Sequence, residues 1–147
     1  MKIKIIDNCI SLNQQKSIIN TLSHNTFPWF YQTDVTDLPK TKNQSRPALS
    51  HYFVVDNKNN SEHVDVIMPI IVSHTKNSII QCRSFLQFPL NLKKYGTDDD
   101  SPHRDLSFPH TVYLYYVVTS DGDTLFLKDS KVIKKVTPKQ GRLVIFD

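Results

Sequence analysis

Glycine is scarce in this sequence, and its three residues at positions 96, 122 and 141 lie too far apart to form the glycine-rich loop that cradles a nucleotide phosphate. Cysteine is scarcer still. Cys9 and Cys82 sit 73 positions apart, a spacing that implies neither a disulfide framework nor a zinc ribbon. No window approaches the run of about 18 apolar residues that a membrane-spanning helix needs. The opening MKIKIID alternates charge with isoleucine and lacks the uninterrupted apolar stretch of a secretory signal. These absences lead us to expect a soluble, cytoplasmic protein with no membrane partner. There is no internal repeat. A net charge of +4 comes from basic residues scattered among acidic ones, whereas a nucleic-acid footprint is a clustered patch, so a nucleic-acid partner is possible but not favoured.

What is present is enough apolar material for one packed domain, residues 1–147: hydrophobic residues are 39% of the chain and include 8 Phe and 6 Tyr. Residues 2 to 6 alternate like a short strand. Ser11 and Gln14 match a capping box, and the helix it starts presents Leu12, Ile18, Ile19 and Leu22 for packing before Asn25 and Pro28 end it. Strand-like runs rich in β-branched and aromatic residues then follow at 27–31, 51–55, 64–71, 79–88, 111–118, 124–127, 132–136 and 142–146, with part of 64–74 open to a second helix. Residues 39–47 and 56–62 read as polar loops, and Asp121-Gly122 and Gln140-Gly141 as turns. Many short strands after one or two helices predict a mainly β fold with helical backing, a sandwich or barrel.

The stretch from Ser101 onward, SPHRDLSFPHTVYLYYVVTSDGDTLFL, carries the chemistry. His103 and Asp105 are two residues apart, so in an extended segment their side chains lie on the same side, where an imidazole and a carboxylate can grip one metal ion. The tetrapeptide HRDL also opens the catalytic loop of protein kinases, but there an Asn must follow five residues after the Asp, and this chain has His110. Gly122 allows positive φ in a tight turn flanked by Asp121 and Asp123, and Gly141 serves a second turn after Pro138. Ordinary hairpins account for these turns without accounting for His103 and Asp105 just before them. Alternation in 111–118 sets Val112, Leu114 and Tyr116 on one face and Tyr113 and Tyr115 on the other.

Taken together, His103 and Asp105, the strand Tyr115-Tyr116-Val117-Val118, the turn Asp121-Gly122-Asp123-Thr124 and the segment Pro138-Lys139-Gln140-Gly141-Arg142-Leu143-Val144-Ile145-Phe146 resemble, in order and spacing, the 2-oxoglutarate- and Fe(II)-dependent oxygenases, in particular their prolyl-4-hydroxylase-like, phage-type members. Upstream, 27–31 and 83–89 look like earlier strands of that group. The resemblance implies a double-stranded β-helix (jelly-roll) with an incomplete C-terminal strand. It also implies Fe(II) held by His103 and Asp105, 2-oxoglutarate as co-substrate, Tyr116 at the co-substrate's carboxylate, and hydroxylation of a C–H bond with release of succinate and carbon dioxide. The substrate is unknown; the family's substrates include protein side chains, small molecules and nucleobases.

The sequence departs from that pattern in three places. Position 118 is Val where Asn is common. The second ligand histidine and the Arg or Lys that pairs with the distal carboxylate of 2-oxoglutarate both fall beyond Asp147 in the pattern. The expectation is therefore the core of a dioxygenase truncated before its second iron-ligand histidine, with no catalytic residue beyond the metal ligands; a degenerate relative is the other account. A non-catalytic binding module on the same β-sandwich is the alternative function. His24, His51, His63 and His74 lie in other parts of the pattern and read as surface or core histidines, His110 as a strand-entry residue, and Asp98-Asp99-Asp100 as a solvated loop.

Overall fold

In the computed structural model the protein is described over residues 2–34, 47–89 and 102–147. Nine strands and two helices are found there: β1 (Ile3–Ile6), α1 (Leu12–Leu22), β2 (Phe30–Gln32), β3 (Ala48–Val55), β4 (Lys58–Asn59), α2 (Val64–His74), β5 (Gln81–Gln87), β6 (Val112–Tyr116), β7 (Thr124–Lys128), β8 (Lys131–Val136) and β9 (Arg142–Phe146). The fold is mainly β, and every strand pair is antiparallel. Contacts group the chain into two compact units, each made of interleaved segments: Met1–Phe27, Asp65–Lys76 and Leu106–Asp147 in the first, Pro28–Val64 and Asn77–Asp105 in the second.

In the first unit β9 is the middle strand of a three-stranded sheet ordered β1-β9-β6. Its sequence RLVIF is almost wholly apolar because it is paired on both edges, and Leu143 and Val144 are fully buried. The β7–β8 hairpin adds Phe126 and Val136, which pack with Val144 into one core against Ile3, Leu114, Tyr116 and Phe146. Leu114 and Tyr116 share this core, as their alternation requires. The hairpin turns through Asp129 and Ser130, with φ of 49° and 60°. Two successive left-handed residues match the right-handed twist of the flanking strands, and a short Asp tolerates that region better than most side chains.

The capping box expected at α1 is formed: Ser11 Oγ accepts from Gln14 N at 3.3 Å, and Gln14 Oε1 accepts from Ser11 N at 2.9 Å. The packing face of the helix is the expected one at Ile18 and departs from it at Leu12. Leu12 is 64% exposed, while Gln15 and Ile18 are buried. Gln15 is inside because all of its amide is used: Nε2 donates to Ile10 O at 3.1 Å and to Asn8 Oδ1 at 3.4 Å, and Oε1 accepts from Gln140 Nε2 at 3.2 Å. Residues 64–74 are helical throughout, which decides between the strand at 64–71 and the second helix that the sequence left open; Val, Ile and Met fill the helix, which also contains Pro69. Local β-branching did not decide there, as tertiary packing overrides weak propensities.

In the second unit β3 is central. β5 pairs along its whole length, with a bulge between Tyr52 and Val54, while β2 pairs with Ala48 to Ser50 and β4 with Val54 and Val55. A strand has two edges, so β2 and β4 share the one opposite β5. The polar stretch 56–62, read as a loop, holds a tight hairpin instead: Asp56 and Asn57 take φ of 48° and 62°, and Lys58 and Asn59 return as β4. Ala48, Ser50, His51, Phe53 and Val54 are buried along β3.

Candidate metal centre

Among the described residues no helix is long and apolar enough to cross a membrane. The site anticipated at the HxD segment begins in the second unit, on β3 and β5. Directly opposed residues of an antiparallel pair project from the same face, so the register that sets Arg83 against Tyr52 and Phe85 against Ser50 gathers those four side chains on one face of the sheet. The Arg83 guanidinium lies over the Phe85 ring, 4.6 Å from its centroid, and Nη1 donates to Tyr52 Oη at 3.4 Å. Stacking and a strand-fixed backbone give this arginine one preferred direction.

That direction is toward Asp105. Arg83 Nη2 donates to Asp105 Oδ1 at 2.9 Å, a charge-assisted bond between two part-exposed groups. His103 approaches the same oxygen, with Nε2 at 4.0 Å from Oδ1. The two expected ligands are thus close to each other in an irregular segment between β5 and β6. One imidazole and one carboxylate, both part-exposed, are donor types that divalent transition-metal ions accept. Among the described residues no group of three or more His, Cys, Asp or Glu is assembled to hold a metal, so the pair stands as two donors. Asp98-Asp99-Asp100 lies outside the described residues.

Tyr116 belongs to the first unit. Its hydroxyl donates to Thr124 Oγ1 at 2.6 Å, and burial pushes the phenol's pKa above its usual value. His110, close in sequence, has Nδ1 2.7 Å from Phe108 O. His51 is 4% exposed and has both ring nitrogens engaged, Nδ1 with Pro28 O at 2.8 Å and Nε2 with Ser61 Oγ at 2.7 Å. It is a core histidine, as the sequence suggests.

Two features of this region were not anticipated from the sequence. Arg83 was noted only as part of a strand, because 22 residues separate it from Asp105 and no local pattern joins them. Ser50 and Ser84 bury side-chain hydroxyls that find no partner among the described residues; a buried unpaired hydroxyl has no signature in a strand that otherwise alternates well. Gly141 has a clearer role. Its N–H donates to Tyr116 O and its carbonyl accepts from Cys9 N, both at 3.0 Å, and with φ at +75° a Cβ there would lie 2.6 Å from Gln15 Nε2. The adjacent Arg142 forks onto Asp7, Nε to Oδ1 at 2.6 Å and Nη2 to Oδ2 at 3.1 Å, and Lys139 joins at 3.1 Å. The segment PKQGRLVIF therefore serves the first unit's structure through every residue whose contacts are described above.

No protein-family model, no curated protein and no solved structure matches this chain.

Proposed function

We propose that this chain is the iron-binding core of a 2-oxoglutarate- and Fe(II)-dependent oxygenase, with its antiparallel strands belonging to a double-stranded β-helix. The single observation that carries the reading is the approach of His103 Nε2 to Asp105 Oδ1, 4.0 Å apart on one exposed segment, followed in sequence by the turn-and-strand pattern of that family. Fe(II) and 2-oxoglutarate, when bound, would supply the oxidation of a substrate C–H bond by dioxygen, with succinate and carbon dioxide released. The protein's share is to hold the ion with open positions. His103 gives a neutral nitrogen and Asp105 an anionic oxygen, and Arg83 fixes how that carboxylate is turned. Tyr116 would reach a carboxylate only by turning its hydroxyl away from Thr124.

Two donors bind a divalent ion weakly. Titrating Mn(II) as a surrogate into the 147-residue chain in a calorimeter is expected to give weak binding that Asp105→Ala abolishes and His110→Ala leaves nearly unchanged, with 2-oxoglutarate alone hardly bound. Binding that survives Asp105→Ala would move the metal elsewhere. No binding at any concentration would favour a binding module without metal chemistry.

A further inference from the structure

Asp105 already faces a cation, and that cation cannot lose its charge. An arginine stays protonated in proteins, and Arg83 is held against Asp105 by three separate contacts: the strand register with Tyr52, the Phe85 ring beneath the guanidinium, and the Tyr52 hydroxyl. The oxygen it takes is Oδ1, the same one that His103 Nε2 approaches. A divalent ion held by His103 and Asp105 would come within a few ångströms of the guanidinium that bonds the same carboxylate. Like charges at that range repel strongly even at a part-exposed site.

The geometry points to Arg83 as a resident counter-cation that competes with the metal for Asp105. Arg83 fills the role of the ion while the ion is absent, keeping the Asp105 carboxylate turned toward His103, and it lowers the affinity for a lone divalent metal. Loading the site then means drawing Oδ1 away from Nη2, or sharing it. The inference rests on the oxygenase reading for the identity of the site as a metal centre, and it adds how that site is regulated. A surface salt bridge with no such role predicts no gain: removing it would leave Asp105 less ordered and the metal bound equally well or less well.

Metal affinity with Mn(II) alone separates these cases. Arg83→Gln is expected to tighten Mn(II) binding roughly three- to tenfold, since it removes the repulsion while keeping a planar donor. Arg83→Lys keeps the charge and should stay near the wild type, and Arg83→Gln combined with Asp105→Asn should lose the gain. In the wild-type chain, nitrogen NMR of the Arg83 guanidinium during titration with diamagnetic Zn(II) reads the same competition without a substitution, and its resonances should shift as Oδ1 is taken. Unchanged guanidinium resonances at saturating Zn(II), or an Arg83→Gln chain of unchanged fold that binds Mn(II) no more tightly, overturns the competition while leaving an Asp105-dependent metal site standing. Absence of metal binding in wild type and Arg83→Gln alike overturns the oxygenase reading and this inference together.

Discussion

Among the described residues each compact unit has an arginine–aspartate pair, and the two pairs are built differently. In the first unit Arg142 meets Asp7 as a fork, with both carboxylate oxygens engaged, Lys139 added, and the remaining Nη1 donating to Thr137 O at 2.9 Å. In the second Arg83 touches Asp105 through one nitrogen on one oxygen, with an imidazole close by. A saturated pair of the first kind links the end of β1 to the start of β9 and has little capacity for a ligand. A single-contact pair beside a histidine keeps that capacity. The interiors differ in the same sense: the first unit's strands enclose Phe126, Val136 and Val144, whereas β3 of the second buries Ser50 and His51 beside Phe53.

The largest expected effect tests the scaffold. Gly141→Ala places a methyl group against the buried Gln15 amide at a left-handed φ, and should destabilise the protein by about 2–3 kcal/mol, from backbone strain and a disturbed buried hydrogen bond. Gly122→Ala has a similar φ of +83° but nothing within 4 Å of the new methyl, and should cost only about 1 kcal/mol. Urea denaturation of the two variants compares them; equal losses would mean that the Gln15 contact contributes nothing.

Next come the polar groups of the second unit. His51→Leu should cost about 1–3 kcal/mol, because Pro28 O and the Ser61 hydroxyl lose their described ring partner. Ser50→Ala removes a hydroxyl that has no described partner and should be neutral or stabilising by up to about 1 kcal/mol. If Ser50→Ala instead destabilises the protein as much as His51→Leu, the interior of β3 is fully satisfied and the contrast between the units disappears.

The smallest effect is expected at Asp7. The hydrogen bond from Arg142, followed by that from Lys139, holds its carboxyl at a pKa of about 2, below the ordinary 3.8. A group whose pKa falls on folding stabilises the native state above its unfolded pKa, and that contribution is lost as the pH drops through the folded value. Asp7→Asn should therefore be slightly less stable than wild type at neutral pH, and the gap should close between about pH 4 and pH 2. The effect stays small because Asp7 is exposed and the pair is screened. Thermal melts across that range, at low and high salt, provide the comparison; a gap that is unchanged at pH 2 would show that the pair carries no pH-dependent stability.

The helix α1 and its cap and most of the strands were legible because each depends on neighbours in sequence: a capping box spans four residues, and alternation spans a strand. The positive φ at Gly122 was legible for the same reason. Other features were not. On α1 the expected Ile18 is buried, but Gln15 joins it inside through the three partners of its amide, and Leu12 is left to solvent. Residues 64–74 became a helix although their β-branched run fits a strand equally well, because a short apolar segment has no period strong enough to choose. The partner of Asp105 was decided by the register of β5 on β3, which brings Arg83 to Tyr52 and over Phe85. Local chemistry is written in consecutive residues, but a contact across 22 positions exists only once the strands have paired.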